Sequence, residues 1–95
     1  MYVVLLKFSK NKHLASQHMG AHNVWIQRGF DEGVFLLTGG LQQGLGGGIL
    51  ASNTTREALQ ERIAADPFVT ENVVAADILE LTPHKTDARL DFLFD

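Results

Sequence analysis

The chain has no cysteine, no run of basic residues, and no apolar stretch near the ~20 residues a membrane-spanning helix needs. Without cysteine there are no disulfides and no thiolate metal sites, which fits a reducing compartment. Its eight lysines and arginines are dispersed and the net charge is −3, which argues against a nucleic-acid or anionic-membrane surface. The opening "MYVVLLKFSK" has neither a basic leader nor a small-residue cleavage site, so a signal peptide is not expected and the expected location is the cytoplasm. Internal repeats, proline-rich linkers and charge blocks are also missing.

What is present is a 95-residue chain, 45% hydrophobic and 20% charged, the composition of one small globular domain. "YVVLLKF" (2–8) is β-branched and aromatic and reads as a strand. Over 13–29, Leu14, His18, Ala21, His22, Trp25, Ile26 and Gly29 recur at helical spacing. "GVFLLTG" (33–39) and "GGGILAS" (46–52) read as strands joined by the turn "GLQQGL" (40–45). Thr54 and Glu57 form a T-x-x-E pattern that predicts a capping box and a helix from about residue 55. Leu59 and Ile63 mark its buried side, and Pro67 ends it. "VVAADILEL" (73–81) reads as the fourth strand.

This order, strand–helix–strand–strand–helix–strand, predicts an α+β, ferredoxin-like βαββαβ domain with an antiparallel sheet over residues 1–83. Two helices cover only one face of such a sheet. The first strand is nevertheless apolar on both: Tyr2, Val4, Leu6 and Phe8 on one, Val3 and Leu5 on the other. A half-exposed strand should alternate apolar with polar. The second face is expected to be covered by another copy in a two-fold homodimer; the alternative is the chain's own tail, 84–95. "ARLDFLF" fits helix or strand spacing equally, and its four large apolar side chains predict a tail docked near the dimer interface, with Arg89 pairing an acidic group or closing a cleft rim.

Four histidines stand at 13, 18, 22 and 84. His18 and His22 lie about 40° apart on one helix face, and His22 shares a stripe with Leu14, Trp25 and Ile26. Alone, His22 reads as a core histidine with one hydrogen bond. Asp66 changes that. In "AADPF" a carboxylate is expected at the C-terminal end of a helix, where the dipole disfavours an anion. The split βαβ topology brings that end beside the first half of helix 1, and Phe8 and the Gly39–Gly40 pair converge there. Asp66 is then within reach of His22, fixing its tautomer and leaving one ring nitrogen free. The alternative role for Asp66 is to cap backbone N–H groups at Phe68 and Val69, and its two oxygens allow both.

The strand "YVVLLKF", the helical "AHNVWI", "LLTGG", and above all that histidine combined with "ADPF" resemble the YciI-like (YCII-related) proteins of the dimeric α+β barrel superfamily over residues 1 to about 83. The resemblance implies two sheets packed face to face and a His–Asp pair in a cleft, carried here by His22 and Asp66. It also implies kinship with dehydrochlorinases of chlorinated hydroxyhydroquinones, muconolactone isomerases and small monooxygenases. Family members often carry an arginine where this chain has Met19, and a proline where it has Leu41.

"GGLQQGLGGG" lacks the lysine and hydroxyl of a phosphate-binding loop and reads as a hairpin with close backbone approach. His18 and His22 have helical zinc-ligand spacing but no third ligand in view, so no metal is expected, and no cofactor signature is present. The expected function is a cofactor-independent lyase or isomerase acting on a small molecule. His22 would be the general base or acid and Asp66 its orienter, with His18, Trp25, Gly39, Gly40 and Phe68 forming the ligand site. The alternatives are a non-enzymatic ligand-binding module in the same cleft, or an accessory protein whose product is the dimer.

Overall fold

Tyr2–Phe8 forms strand β1, and the helical periodicity that follows resolves into a 3₁₀ turn, Lys12–Leu14, and helix α1, Ala15–Asp31. Strands β2 (Phe35–Leu41) and β3 (Gly46–Ala51) make a hairpin; helix α2 (Arg56–Ala64), a four-residue helix α3 (Pro67–Thr70) and strand β4 (Val74–Glu80) complete the domain. The computed structural model describes residues 1–94; Asp95, the last residue of the expected tail, lies outside them.

The sheet order is β2-β3-β1-β4 with every neighbouring pair antiparallel, the ferredoxin-like arrangement that the element order predicts. β2 starts two residues later than expected. Gly33, at φ 73°, donates its N–H to Phe30 O and turns the chain out of α1, the left-handed exit that glycine permits. The cap of α2 also differs from expectation. Thr55, not Thr54, is the N-cap, its hydroxyl accepting from Ala58 N at 3.1 Å. Glu57 then falls one position short of the reach a capping box needs.

Tyr2, Val4 and Leu6 of β1 face the helices with Ile49 and Ala51 of β3, and Leu59 and Ile63 of α2 close over them; Val4 and Leu59 are fully buried. Each such side chain contributes roughly 1.5–3 kcal/mol. On the reverse face Val3 and Leu5 are half-buried, Leu37 is 53% exposed and Leu79 48% exposed. A shallow apolar hollow there, bounded by Val3, Leu5, Leu37, Leu41 and Leu50, is open. The tail takes up a 3₁₀ conformation over Ala88–Phe94. Its Phe92 and Leu93 line a hollow with Met1, Tyr2 and Ser52, at the end of β1 away from Phe8, while Leu90, Phe92 and Phe94 remain exposed.

Candidate active site

Asp66 does not end a helix against its dipole. α2 stops at Ala64, and Asp66, at φ −61° and ψ 125°, has the extended backbone that a following proline imposes. It is the N-cap of α3, with Pro67 in the first helical position, where proline's missing N–H costs nothing. The carboxylate accepts from Phe68 N at 3.0 Å. An acidic N-cap is among the best side chains for that position. The sequence "DPF" is thus one local device: Asp66 opens the turn, Pro67 sets its direction, and Phe68 follows with its amide on the carboxylate.

The same oxygen, Asp66 Oδ1, accepts from His22 Nδ1 at 2.7 Å, a buried contact between a side chain 10% exposed and one fully buried. The two roles open to Asp66 are therefore both filled, but by one oxygen. Oδ2 is buried and has no hydrogen-bond partner among the described residues. His22 lies flat on the Phe68 ring, centroids 3.9 Å apart and planes within 5°. Trp25 stacks at 5.7 Å from the imidazole, and its indole N–H donates to Arg62 O at 3.0 Å, tying α1 to the last turn of α2. The imidazole is thus held at one nitrogen by a carboxylate and on one face by a ring. With Nδ1 occupied, Nε2 is the nitrogen left for a ligand.

His22 lines a cleft of about 200 Å³ at the edge of the helix layer. Leu6 and Phe8 of β1 and Val74 of β4 form one side, and the hairpin glycines Gly39, Gly40, Gly46 and Gly47 form the floor. Phe68 stands beside His22, and Met19 and Asn23 of α1 form the rim. Of the residues expected at a ligand site, Gly39, Gly40 and Phe68 meet His22 here. His18 is half-buried and outside the lining, and Trp25 sits behind His22 facing a separate hollow with Arg28 and Arg62. Asn23 was not singled out from the sequence, yet the signal was there: Met19, His22, Asn23 and Ile26 follow the i, i+3, i+4, i+7 stripe of one helix face. Among the described residues no three His, Asp or Glu side chains gather as a metal site. No helix among them is long and apolar enough to cross a membrane.

No family model matches the chain, and no curated protein matches it in sequence. Among solved structures the fold is similar to that of 5-chloro-2-hydroxyhydroquinone dehydrochlorinase from Burkholderia phenoliruptrix, solved in complex with 2,5-dihydroxybenzoquinone. The TM-score is 0.68 at 10% sequence identity, over 85% of this chain and 93% of that one. At that identity the likeness establishes a common fold.

Proposed function

We propose that the protein is a cofactor-independent enzyme of lyase or isomerase type that acts on a small molecule held in the His22 cleft. The observation that carries this reading is the buried His22–Asp66 contact at the wall of an open cleft. A histidine kept only for packing needs no lining position; this one lines the cleft while its Nδ1 is engaged by Asp66, which supports Nε2 as the nitrogen that would meet a ligand. Imidazole is the side chain best suited to exchange protons near neutral pH. In an elimination, Nε2 takes a proton from the substrate, the released electron pair forms the new double bond, and the leaving group departs with its own bonding pair. The protonated ring then forms an ion pair with Asp66 and lies on the Phe68 face, an arrangement that favours a cation. The proton returns to solvent to complete the cycle. An isomerisation uses the same first step and returns the proton at another carbon. A fold shared with a dehydrochlorinase supports this choice of chemistry.

The working unit in this reading is a two-fold homodimer with the open sheet faces packed together, in the cytoplasm. The exposed Leu37 and Leu79 beside Val3 and Leu5 support it. The test is a panel of chlorinated and hydroxylated single-ring compounds, followed by chloride release and by proton exchange in heavy water. The expected result is turnover that His22→Gln lowers by about 10²–10⁴-fold, with Asp66→Asn also impaired. Turnover indifferent to His22→Gln would sink the mechanism. Binding without turnover or exchange anywhere in the panel would favour a binding module.

A further inference from the structure

We infer that the cleft takes a flat, uncharged ring laid on the bare backbone of Gly40 and Gly47, and that Gly40 sets its depth. This rests on the cleft being a ligand site but not on His22 acting as a base. On the helix-facing side of the sheet, Thr38, Ile49 and Val4 form one row across β2, β3 and β1. The next row, beside His22, is Gly40, Gly47 and Leu6. Two adjacent positions without side chains remove one side-chain depth and leave a floor of peptide planes.

The hairpin glycines are not equivalent. Gly46 has φ 135°, and a Cβ there would collide with the Leu6 carbonyl, so the backbone demands it. Gly40 has no such φ, and a Cβ on it would meet nothing nearer than Gly46 O at 4.0 Å. Glycine weakens a strand and commonly marks a place where something approaches the backbone closely. At Gly40 no atom of the described residues takes the space, so a ring in the cleft can lie directly against the backbone there. A cavity of ~150 Å³ holds benzene, so about 200 Å³ admits one ring with small substituents.

Charge narrows the class. Among the described residues no Lys, Arg, Asp or Glu lines the cleft; His22 is the one titratable group there and Asn23 the one side-chain amide. A protonated His22 would be matched by Asp66, leaving the pair neutral. Lys12 lies over the Phe8 ring, 4.8 Å from its centre, outside the lining. A carboxylate entering here would lose its water with no cation to meet it. Hydroxyl or carbonyl groups on a ring would meet Asn23 at the rim and Nε2 of His22 at the wall.

The test uses hydroquinone and 4-hydroxybenzoate, the same ring without and with a carboxylate, titrated into ¹⁵N-labelled protein. Amide signals of Gly40 and Gly47 and ring nitrogens of His22 report occupancy. Expected are saturable shifts with hydroquinone and at least tenfold weaker binding of 4-hydroxybenzoate. Gly40→Ala should weaken hydroquinone at least tenfold with an unchanged melting temperature, and Met19→Arg should raise affinity for 4-hydroxybenzoate. Equal or tighter binding of 4-hydroxybenzoate overturns the inference, as does unchanged binding in Gly40→Ala or no hydroquinone binding at all. His22→Gln should still bind hydroquinone. Wild-type binding with no turnover in the compound panel would leave this inference standing and remove the proposed activity.

Discussion

On the covered face of the sheet, Val4, Leu6 and Ile49 are 0%, 4% and 2% exposed; on the open face, Leu37 and Leu79 are 53% and 48% exposed. Along β1 both faces carry large apolar residues, Val4 and Leu6 on one and Val3 and Leu5 on the other, although Asp77 of β4 stands opposite Leu5 on the open face. The helices satisfy one face within the chain, and among the described residues nothing of comparable size lies over the hollow on the other. The difference teaches that hydrophobic alternation measures a demand for burial on each face separately. Where that demand is met, side chains are locked well enough to hold an imidazole at a fixed nitrogen. The candidate site accordingly lies at the rim of the covered face, where the helix layer ends and glycines replace core side chains.

The comparison can be broken first by truncating one side chain on each face. Leu59→Ala, beneath the helices, should lower unfolding stability by about 2–5 kcal/mol. Leu79→Ala should cost less than about 0.5 kcal/mol at protein concentrations where the chain is monomeric, and more where it is dimeric. Denaturant melts at nanomolar and high micromolar protein distinguish these. An equally large Leu79→Ala cost at both concentrations would mean that the open face is already filled within one chain.

Asp66 offers the next largest effect, because it belongs to the covered face yet is polar. Asp66→Ala removes a helix cap and leaves His22 Nδ1 and Phe68 N buried without an acceptor. The loss should be about 2–4 kcal/mol. Asp66→Asn keeps an acceptor for both donors but puts an amide NH₂ where Oδ2 is buried without a partner, so it should still cost about 1–3 kcal/mol. If thermal melts show Asp66→Asn as stable as the wild type, that buried position tolerates a donor and the charge does not hold the site. On the open face, Leu5→Asp should leave the His22 and Asp66 contact intact by histidine NMR while abolishing any dimer in sedimentation. A dimer that survives it uses another surface.

The architecture was legible because each element carried its own period or punctuation. β1 showed two apolar faces, α1 a seven-residue stripe, and Pro67 a stop. The meeting of His22 and Asp66 was legible only through topology, since 44 residues separate them. The local role of Asp66 is not legible in the sequence. Pro67 marks the end of one helix, but a proline at the first helical position also starts the next, and a four-residue helix leaves no periodicity to detect. The α2 cap slipped by one because adjacent threonines both satisfy the residue preference and only the backbone angle at Thr55 decides between them. Trp25 and His18 share the right face by spacing, but a stripe gives direction and not depth. Trp25 ends up behind the imidazole, and Asn23, its exposed neighbour, at the cleft.

The smallest effects concern the tail, which belongs to neither face. The sequence predicts that Arg89 pairs an acidic group or closes the cleft rim; its guanidinium donates to Asp87 at 3.0 Å, two residues away. That hydrogen bond, and a second from the Arg89 backbone, hold the Asp87 carboxyl below its ordinary value. A carboxylate whose folded pKa lies below the unfolded one adds stability above the unfolded value and loses it as pH falls through the folded value. Both groups are largely in water, so solvent screens the pair. Arg89→Ala should therefore raise the Asp87 titration midpoint in carboxyl-detected NMR while leaving the melting temperature unchanged. A drop in melting temperature would show that Arg89 holds something beyond Asp87. We propose that the exposed Leu90, Phe92 and Phe94 dock beside the partner in the dimer, which makes trypsin a direct probe of the same comparison. Cleavage after Lys85 should be several-fold slower in the wild-type dimer than in Leu5→Asp. Equal rates would make the tail independent of the open face.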